Sequence, residues 1–487
     1  MKSDKSNSEL LKWKEKNRRG RSYAHFDAKI NLCNDFHKIW EYINNENKVA
    51  THGFYPFIHF EISTRKFGFD EVKKKKIKKD PKDRPIYYSA HMDRYIYSYY
   101  GYKLNQHYNA RLADDAIDDV SIAYRNNKDR DNDNIYYARK AFERIKDLRN
   151  CYVIIGDFKS FFDELDHTYL KERLLDLLKD ELPKPGELSK DYYTVFKNIT
   201  KFSFWEIENL FSINRIKVSM KNPESIRRAY NNLNKKEVAL SYEDFKLHKK
   251  EQIKRNREEK GKGRIKDYGV PQGSAISAVL SNIYMIEFDK KMYKLIMDDN
   301  NGLYMRYSDD FIVILPKCSE DEFSSHYNEI KEIIKSVRRL CLESKKTQIF
   351  LYRKGHIERR CPESLSDILE KSSQIDYLGF TFDGEKITIR DKTLSKYYYR
   401  MYRKLKTILN SREKGKRRSA ENLYQKYTIK GAFPSKNEEK NGNKHKGNFV
   451  SYAHRIKKEF SNSKYEFGID EAVDKFIERH RILLHHV

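Results

Sequence analysis

One stretch limits this chain more than any other. In "RYSDDFIVILP", Arg306–Pro316, two adjacent carboxylates, Asp309 and Asp310, stand directly before five apolar residues, Phe311–Leu315. Like charges side by side repel, and a short continuous apolar run reads as a strand buried on both faces. Solvated turns carry Asp pairs easily, and the chain has such pairs at Asp114-Asp115, Asp118-Asp119 and Asp298-Asp299, all in polar surroundings. Only Asp309-Asp310 is framed by "GLYMRY" before and "FIVIL" after. The pair is either a hairpin tip in solvent or one half of a cation site.

The rest of the chain supplies candidates for the other half. In "CYVIIGDFKSFFDELDH", Tyr152–Ile155 reads as a short buried strand with Asp157 at its end. A helix follows, with Thr168 and Glu172 near its start and a stripe of Leu170, Leu174, Leu177 and Leu178, and "LPKPGELS" stops it. In "GVPQGSAISAVLSNIYM", a turn at Pro271-Gln272-Gly273 feeds a helix with Ile276, Val279, Leu280 and Ile283 on one face. After the hairpin, Ser319 and Glu322 form a capping-box pattern, opening a helix striped by Phe323, Tyr327, Ile330, Ile334 and Val337. "KTQIFLY" and "IDYLGFTFDGEKITI" read as strands, the second with a tight turn at Asp383-Gly384. From Thr393 onward the pattern is helical, broken by the loop-like "SREKGKRRSA" and "SKNEEKNGNKHKGN".

Strand, helix, helix, hairpin, helix, strands is an α/β order. A first strand paired beside the hairpin brings Asp157, Asp309 and Asp310 to one end of a sheet. Three converging anions need cations between them, and oxygen-only donors favour Mg²⁺ or Mn²⁺ over zinc. Two such ions serve phosphoryl transfer.

Composition bears on the partner. Lys and Arg number 99 against 72 Asp and Glu, a formal charge of +27, interleaved with 36 Tyr. That balance fits a polyanionic partner, above all nucleic acid, although a lysine-, asparagine- and tyrosine-rich genome bias accounts for part of it. The five cysteines include no CxxC pair, which argues against zinc and for a reducing, cytoplasmic setting. No run of 18 apolar residues occurs, so no membrane partner is expected. The chain divides, on this reading, into an N-terminal basic extension over 1–80 that ends in a basic loop at Lys73–Arg84, a body over 81–390 with a charged insertion at about 190–266 whose basic end is mobile, and a helical C-terminal domain over 391–487.

At these residues the chain resembles the reverse transcriptases, bacterial ones above all. "DFKSFFDELDH" is similar to the first palm motif of group II intron-type enzymes, "PQGSAISAVLSNIYM" to their Pro-Gln-Gly motif and helix, and "YSDDF" to the Tyr-x-Asp-Asp box. "RPIYYSAHMDR", "LCLESKKTQIF" and "YLGFTF" are weaker matches to the fingers and the primer-grip region. The resemblance covers roughly 80–390. It implies a right-hand polymerase: fingers, a palm with an antiparallel sheet and the Tyr-x-Asp-Asp hairpin, and a helical C-terminal thumb. It implies Asp157, Asp309 and Asp310 as catalytic carboxylates and ligands of two Mg²⁺ or Mn²⁺ ions, with the carbonyl of Phe158 completing a shell. Phe162 matches the steric gate against a ribose 2′-hydroxyl, though plain core packing explains it too, and one of Phe161 and Phe162 must be core. Gln272 matches the contact to the nucleotide sugar, or is a turn amide capping its helix. Arg84, Arg94 and Lys346 are matched to triphosphate and pyrophosphate contacts, or are solvated or ion-paired. Tyr377, Leu378 and Gly379 match the primer grip, where glycine permits close backbone approach.

Departures narrow the subtype. Ala275 and Ala278 stand where intron-type enzymes have Pro, Ser308 stands where many relatives have Ala, and no zinc-bearing endonuclease tail is present. These features resemble the free-standing abortive-infection and defence-associated enzymes. The implied function is an RNA-directed DNA polymerase in antiphage defence, with a noncoding RNA template, dNTPs and a DNA product, and with a homo-oligomer open. The alternatives are template-independent or protein-primed synthesis, a retron- or intron-type enzyme, and an inactive palm kept as an RNA-binding scaffold, which the three retained carboxylates disfavour. For priming, the cluster "SKYYYRMYRK" supplies Tyr397, Tyr398, Tyr399 and Tyr402, which otherwise belong to a thumb helix with Tyr398 and Tyr402 on a shared face.

Overall fold

The structure, a computed structural model, describes residues 10–15, 17, 23–70, 75–125, 133–258, 263–413, 420–433 and 447–485. The chain forms two compact units, and neither is one continuous run. The first takes Met1–Asn127, Phe158–Lys290 and Ile333–Cys341; the second takes Lys128–Asp157, Lys291–Glu332 and Leu342–Val487.

The first unit is built on a four-stranded sheet. Strands Phe57–Asp70 and Lys75–Tyr88 form a long antiparallel hairpin, in register from Ile58↔Tyr88 to Asp70↔Lys75 with one slip near Thr64. Ser203–Glu206 pairs parallel on the other side of Phe57–Asp70, and Lys254–Arg255 follows it. The expected basic loop is therefore a strand from Lys75 to Arg84, while Lys73 and Lys74 lie outside the described residues. Lysine density masked it. Backbone pairing does not need apolar side chains, and among the described residues this strand lies at the edge of its sheet. The boundary expected near residue 80 falls inside this strand.

The charged segment 190–266, expected as an insertion, contributes helices and part of a core. It folds into helices Lys190–Thr200, Ile207–Ile213, Pro223–Leu233 and Tyr242–Gln252. Its sparse apolar residues Trp205, Leu210, Phe211, Ala229 and Leu233 close a core with Ala24, Phe26 and Ile58 from earlier in the chain. Residues 259–262 of its basic end lie outside the described residues. Helices His91–Asp114, His167–Leu177 and Ser277–Tyr284 complete the unit.

The second unit carries the buried strands. β1 (Asn150–Asp157), β2 (Leu303–Tyr307), β3 (Asp310–Pro316), β4 (Gln348–Arg353), β5 (His356–Arg360) and β6 (Ile368–Glu370) form an antiparallel sheet in the order β6-β5-β4-β1-β3-β2. Val153, Phe311–Ile314, Ile349 and Leu351 are fully buried. The run is continuous because both faces are covered. Cys151 Sγ meets the Ile145 carbonyl of helix Asn134–Leu148, and the next residue, Tyr152, stacks on Phe323 of helix Glu320–Lys335 at 3.7 Å between centroids. Successive strand residues face opposite sides, so the two helices lie on opposite faces. The predicted capping box opens the second helix, Ser319 N–H donating to Glu322 Oε2 (2.9 Å) and Glu322 N–H to Ser319 Oγ (3.2 Å).

A three-stranded antiparallel sheet follows: β7 (Ile375–Tyr377), β8 (Phe380–Phe382) and β9 (Ile387–Ile389). Helices Asp391–Glu413, Glu421–Tyr427, Phe449–Phe460 and Ile469–His485 close the unit. Most of the expected loops after 410 (414–419 and 434–446) lie outside the described residues. Among the described residues no helix is long and apolar enough to cross a membrane.

Candidate active site

Sheet register decides what meets Asp310. β1 and β3 pair antiparallel from Cys151↔Pro316 to Asp157↔Asp310, and β2 pairs with β3 so that Tyr307 faces Asp310 from the other side. Ser308 and Asp309 form the connecting turn, with Ser308 in the left-handed region at φ 64°. Asp309 is thus a turn residue, and Asp310 opens the strand with Asp157 directly across from it.

The cluster is only partly neutralised. Lys346 Nζ lies 2.5 Å from Asp157 Oδ1. The segment that carries Lys346 is tied to the same residue, because Glu343 N–H donates to the Asp157 carbonyl (2.8 Å) and Lys346 N–H to the Glu343 carbonyl (2.8 Å). Burial raises the Asp309 carboxyl, the Asp157 charge adds to this, and Lys346 opposes it. Asp310 is pushed up to about 7, first by desolvation, then by a hydrogen bond with Asp157 and the charges of Asp309 and Asp157. The Asp310 residue is solvent-accessible as a whole, but its carboxyl is crowded by protein atoms. The cause is like charges sharing a partly desolvated corner.

Two supporting groups join them. Arg306 has no exposed surface, and its guanidinium donates to the Ser308 carbonyl (2.9 Å), bracing the turn. Sequence reading missed it, since an arginine in an apolar strand carries no signal of where its head goes. Tyr377 is buried, and its hydroxyl has no hydrogen-bond partner among the described residues. Burial and then the Asp310 charge hold its proton on, which places it within electrostatic reach of the carboxylates. The Leu378 carbonyl accepts from Asn134 Nδ2 (3.0 Å), which also donates to Tyr452 (2.9 Å). A Cβ on Gly379 would meet only Asn134 Nδ2, at 4.0 Å, among the described residues, which leaves this backbone open on its outer side. The position is glycine because its φ is 95°, next to Leu378 at 46°.

The first unit holds the remaining candidates. Phe158 packs its ring between Phe161 and Phe288. Phe161 is the core member of the pair, 3% exposed, while Phe162 is half-buried. The Phe162 carbonyl accepts from Val270 N–H (2.9 Å), and the Gln272 carbonyl accepts from Tyr87 N–H (2.9 Å). One turn thereby ties Phe162, Gln272 and the strand bearing Arg84 together. Gly273 makes this possible, since a Cβ there would sit 2.7 Å from the Tyr87 carbonyl oxygen. The Gln272 side chain does not cap the helix, whose N-cap is Ile276 without a side-chain bond. Arg84 is exposed. Arg94 is engaged elsewhere, stacked on Tyr95 at 5.0 Å and hydrogen-bonded to Tyr23.

The tyrosine cluster divides. Tyr397 and Tyr398 are 7% and 8% exposed, the first stacked on Phe449 at 4.6 Å, whereas Tyr399 and Tyr402 are 63% and 43% exposed. Tyr398 and Tyr402, one turn apart on helix Asp391–Glu413, thus differ in burial while lying close enough for Tyr402 to act on the Tyr398 hydroxyl.

Residues 225–382 match the family model described as Reverse transcriptase (RNA-dependent DNA polymerase). That segment, about a third of the chain, is similar to a reverse transcriptase domain, and it carries β2 to β8 of the mixed α/β fold. A search of the curated proteins found no match. Among solved structures, the chain is similar to apo telomerase from Candida tropicalis truncated from the C-terminal domain, at 14% identity and TM-score 0.36, over 72% of this chain and 60% of that one. It is similar to telomerase from Candida albicans in complex with a TWJ fragment of telomeric RNA, at 13% identity and TM-score 0.35, over 73% and 50%. The chain spans about half to three fifths of the length of these two telomerase chains.

The donor set is carboxylate oxygen alone, which fits a hard divalent cation. The raised Asp310 carboxyl and the Lys346 ammonium beside Asp157 mark an excess of negative charge at this corner that a divalent cation would offset. Among the described residues no three His, Cys, Asp or Glu side chains already close on one point.

Proposed function

We propose that the chain copies RNA into DNA with two Mg²⁺ or Mn²⁺ ions held by Asp157, Asp309 and Asp310, and the Phe158 carbonyl. When bound, such ions activate a primer 3′-hydroxyl and stabilise the triphosphate. The observation that carries the reading is the cross-strand register Asp157↔Asp310 with Asp309 in the adjoining turn, three carboxylates kept together at an energetic cost. The resemblance supports further roles: Phe162 against a 2′-hydroxyl, Gln272 on the sugar, Arg84 on the triphosphate together with Arg94 once it leaves Tyr95 and Tyr23, Lys346 on the leaving pyrophosphate, and Tyr377, Leu378 and Gly379 on the primer strand. The resemblance to free-standing defence enzymes supports an antiphage role in the cytoplasm with a dedicated noncoding RNA as template. A second reading, protein-primed synthesis, is favoured by the exposure of Tyr399 and Tyr402.

The test is dNTP incorporation by Asp309→Ala and Asp157→Ala on an RNA template with Mg²⁺, alongside thermal melting. The expected result is loss of incorporation by about three orders of magnitude or more with folding kept, the scale of losing a metal-held transition state. Near-normal synthesis by either folded variant overturns the site.

A further inference from the structure

Helix Pro223–Leu233 has an outer face that nothing in the catalytic reading uses. Asn222 caps it, its side chain accepting from Glu224 and Ser225 N–H groups, and Pro223 opens it. Ala229 and Leu233 bury its inner side in the Trp205 core. The opposite side presents Arg227, Arg228, Asn231 and Asn232, all exposed, and Lys235 and Lys236 continue the same two i+4 rows just past its end. From Ser225 to Lys236 there is no acidic residue.

The flanking acids do not neutralise this face. Glu224 lies 3.7 Å from Arg228, but the two side chains are 71% and 76% exposed, a pair of little worth. Glu237 is turned away, its Oε1 accepting from Lys29 N–H (2.9 Å). The neighbouring loop adds cations: Asn214 Oδ1 accepts from Lys236 Nζ, which brings exposed Arg215 alongside. Other arginines of this unit are consumed internally, Arg111 by Asp115 and Asp176, Arg339 by Glu164, Arg173 by Glu287. Asn is a poor residue for a helix interior. Two of them side by side, with amides bonded to no described residue, leave outward hydrogen-bond capacity between guanidinium and ammonium groups.

We propose that this face is a docking surface for single-stranded RNA, read through its phosphates by Arg227, Arg228 and Lys235 and through hydroxyl or base edges by Asn231 and Asn232. Each i+4 step rises about 6 Å, on the scale of one nucleotide. Arg matches phosphate with a planar fork, and the pairing with amides favours nucleic acid over an acidic protein. The choice of RNA rests on the polymerase reading; the surface itself does not.

The experiment is fluorescence anisotropy of the full chain with a 5′-labelled single-stranded RNA of about 20 nucleotides, across roughly 50 to 300 mM salt. Arg227→Gln/Arg228→Gln/Lys235→Gln should weaken binding at least about tenfold and reduce the log–log salt slope by about 2, at about 0.7 for each phosphate no longer neutralised. Arg227→Lys/Arg228→Lys should keep the slope. Incorporation on a short primer–template should stay at wild-type kcat in both, so failure of the polymerase reading and failure of this surface are told apart. If the triple variant melts early, Arg227→Gln alone should still lower the slope by about 0.7. An unchanged slope overturns the proposal, and so does a poly-glutamate peptide that competes as well as RNA, which would assign the face to an acidic protein.

Discussion

Gly156 immediately precedes Asp157 and stands opposite Phe311, the residue after Asp310. A Cβ on Gly156 would overlap the Phe311 ring at Cζ and Cε1, with Cε2 at 2.9 Å. Ordinary carbon contacts lie near 3.5–4.0 Å, so the ring must move by about an ångström. Phe311 is fully buried between covered faces, so it has no open volume to move into. Overpacking of a tight core costs about 1–3 kcal/mol, and forcing the ring off its rotamer adds about 1. Gly156→Ala should therefore destabilise the second unit by about 2–4 kcal/mol. The displaced ring would also push β3 away from β1, and incorporation should fall further than the folded fraction does.

The assay is urea unfolding followed by a cysteine-accessibility probe at Cys151, which is buried in β1. The control is Phe311→Leu, which removes the three clashing ring atoms. Alone it should cost about 1–2 kcal/mol by leaving a cavity. Combined with Gly156→Ala it should be better than additive by at least about 1 kcal/mol, since the two residues are in contact. A cost below about 0.5 kcal/mol for Gly156→Ala, or strict additivity of the pair, would refute the claim that this contact sets the register at Asp157.

His25 is buried, its Nδ1 accepting from Phe26 N–H (2.8 Å), and burial pushes it down to about 3 against an opposing Asp27 charge. The unfolded chain takes up that proton below about 6.5 and the folded chain does not, so stability falls as pH drops, by about 1.4 kcal/mol per unit between roughly 6.5 and 3. Tryptophan fluorescence should report it, because Trp13, Trp40 and Trp205 all lie in the first unit; His25→Asn should flatten the change between pH 7 and 5, and an unflattened curve removes His25 from the account. Gly379→Ala should cost about 1–2 kcal/mol from positive φ alone, and Gly379→Asn less, because its neighbourhood is open; a loss above about 4 kcal/mol by denaturant melting would show that a side chain here clashes with the protein itself. DNA covalently attached to helix Asp391–Glu413 in an unprimed reaction should vanish in Tyr399→Phe/Tyr402→Phe and persist in Tyr397→Phe/Tyr398→Phe; the reverse pattern, after denaturation and protease digestion, would mean that the helix opens before priming.

Apolar strands and striped helices were legible because burial writes itself as periodicity. β1, β3 and the helix after Ser319 follow directly from their patterns. Charged strands were not. "HIERR" carries one buried apolar residue, Ile357, and its Arg360 is 5% exposed only because Glu358 (2.8 Å) and the carbonyl of Ser366 (3.1 Å) meet it. A pairing made in space leaves no trace in a hydropathy pattern. The same holds for Lys75–Arg84, where backbone pairing with Phe57–Asp70 makes a strand out of residues that repel one another.

The carboxylates were legible from charge set against burial, but what holds them was not. A one-residue slip between β1 and β3 would turn Asp310 to the opposite face of the sheet and separate it from Asp157. Three features oppose that slip: the Gly156–Phe311 fit, the buried Arg306 on the Ser308 carbonyl, and an apolar run committed to cover on both faces. None of the three touches a nucleotide in the proposed reading, and each is a condition for the carboxylates to meet. The repulsion that raises Asp309 and Asp310 is therefore sustained by the sheet's register, and a substitution that loosens the register should relax those carboxyls toward their ordinary range before it unfolds the unit.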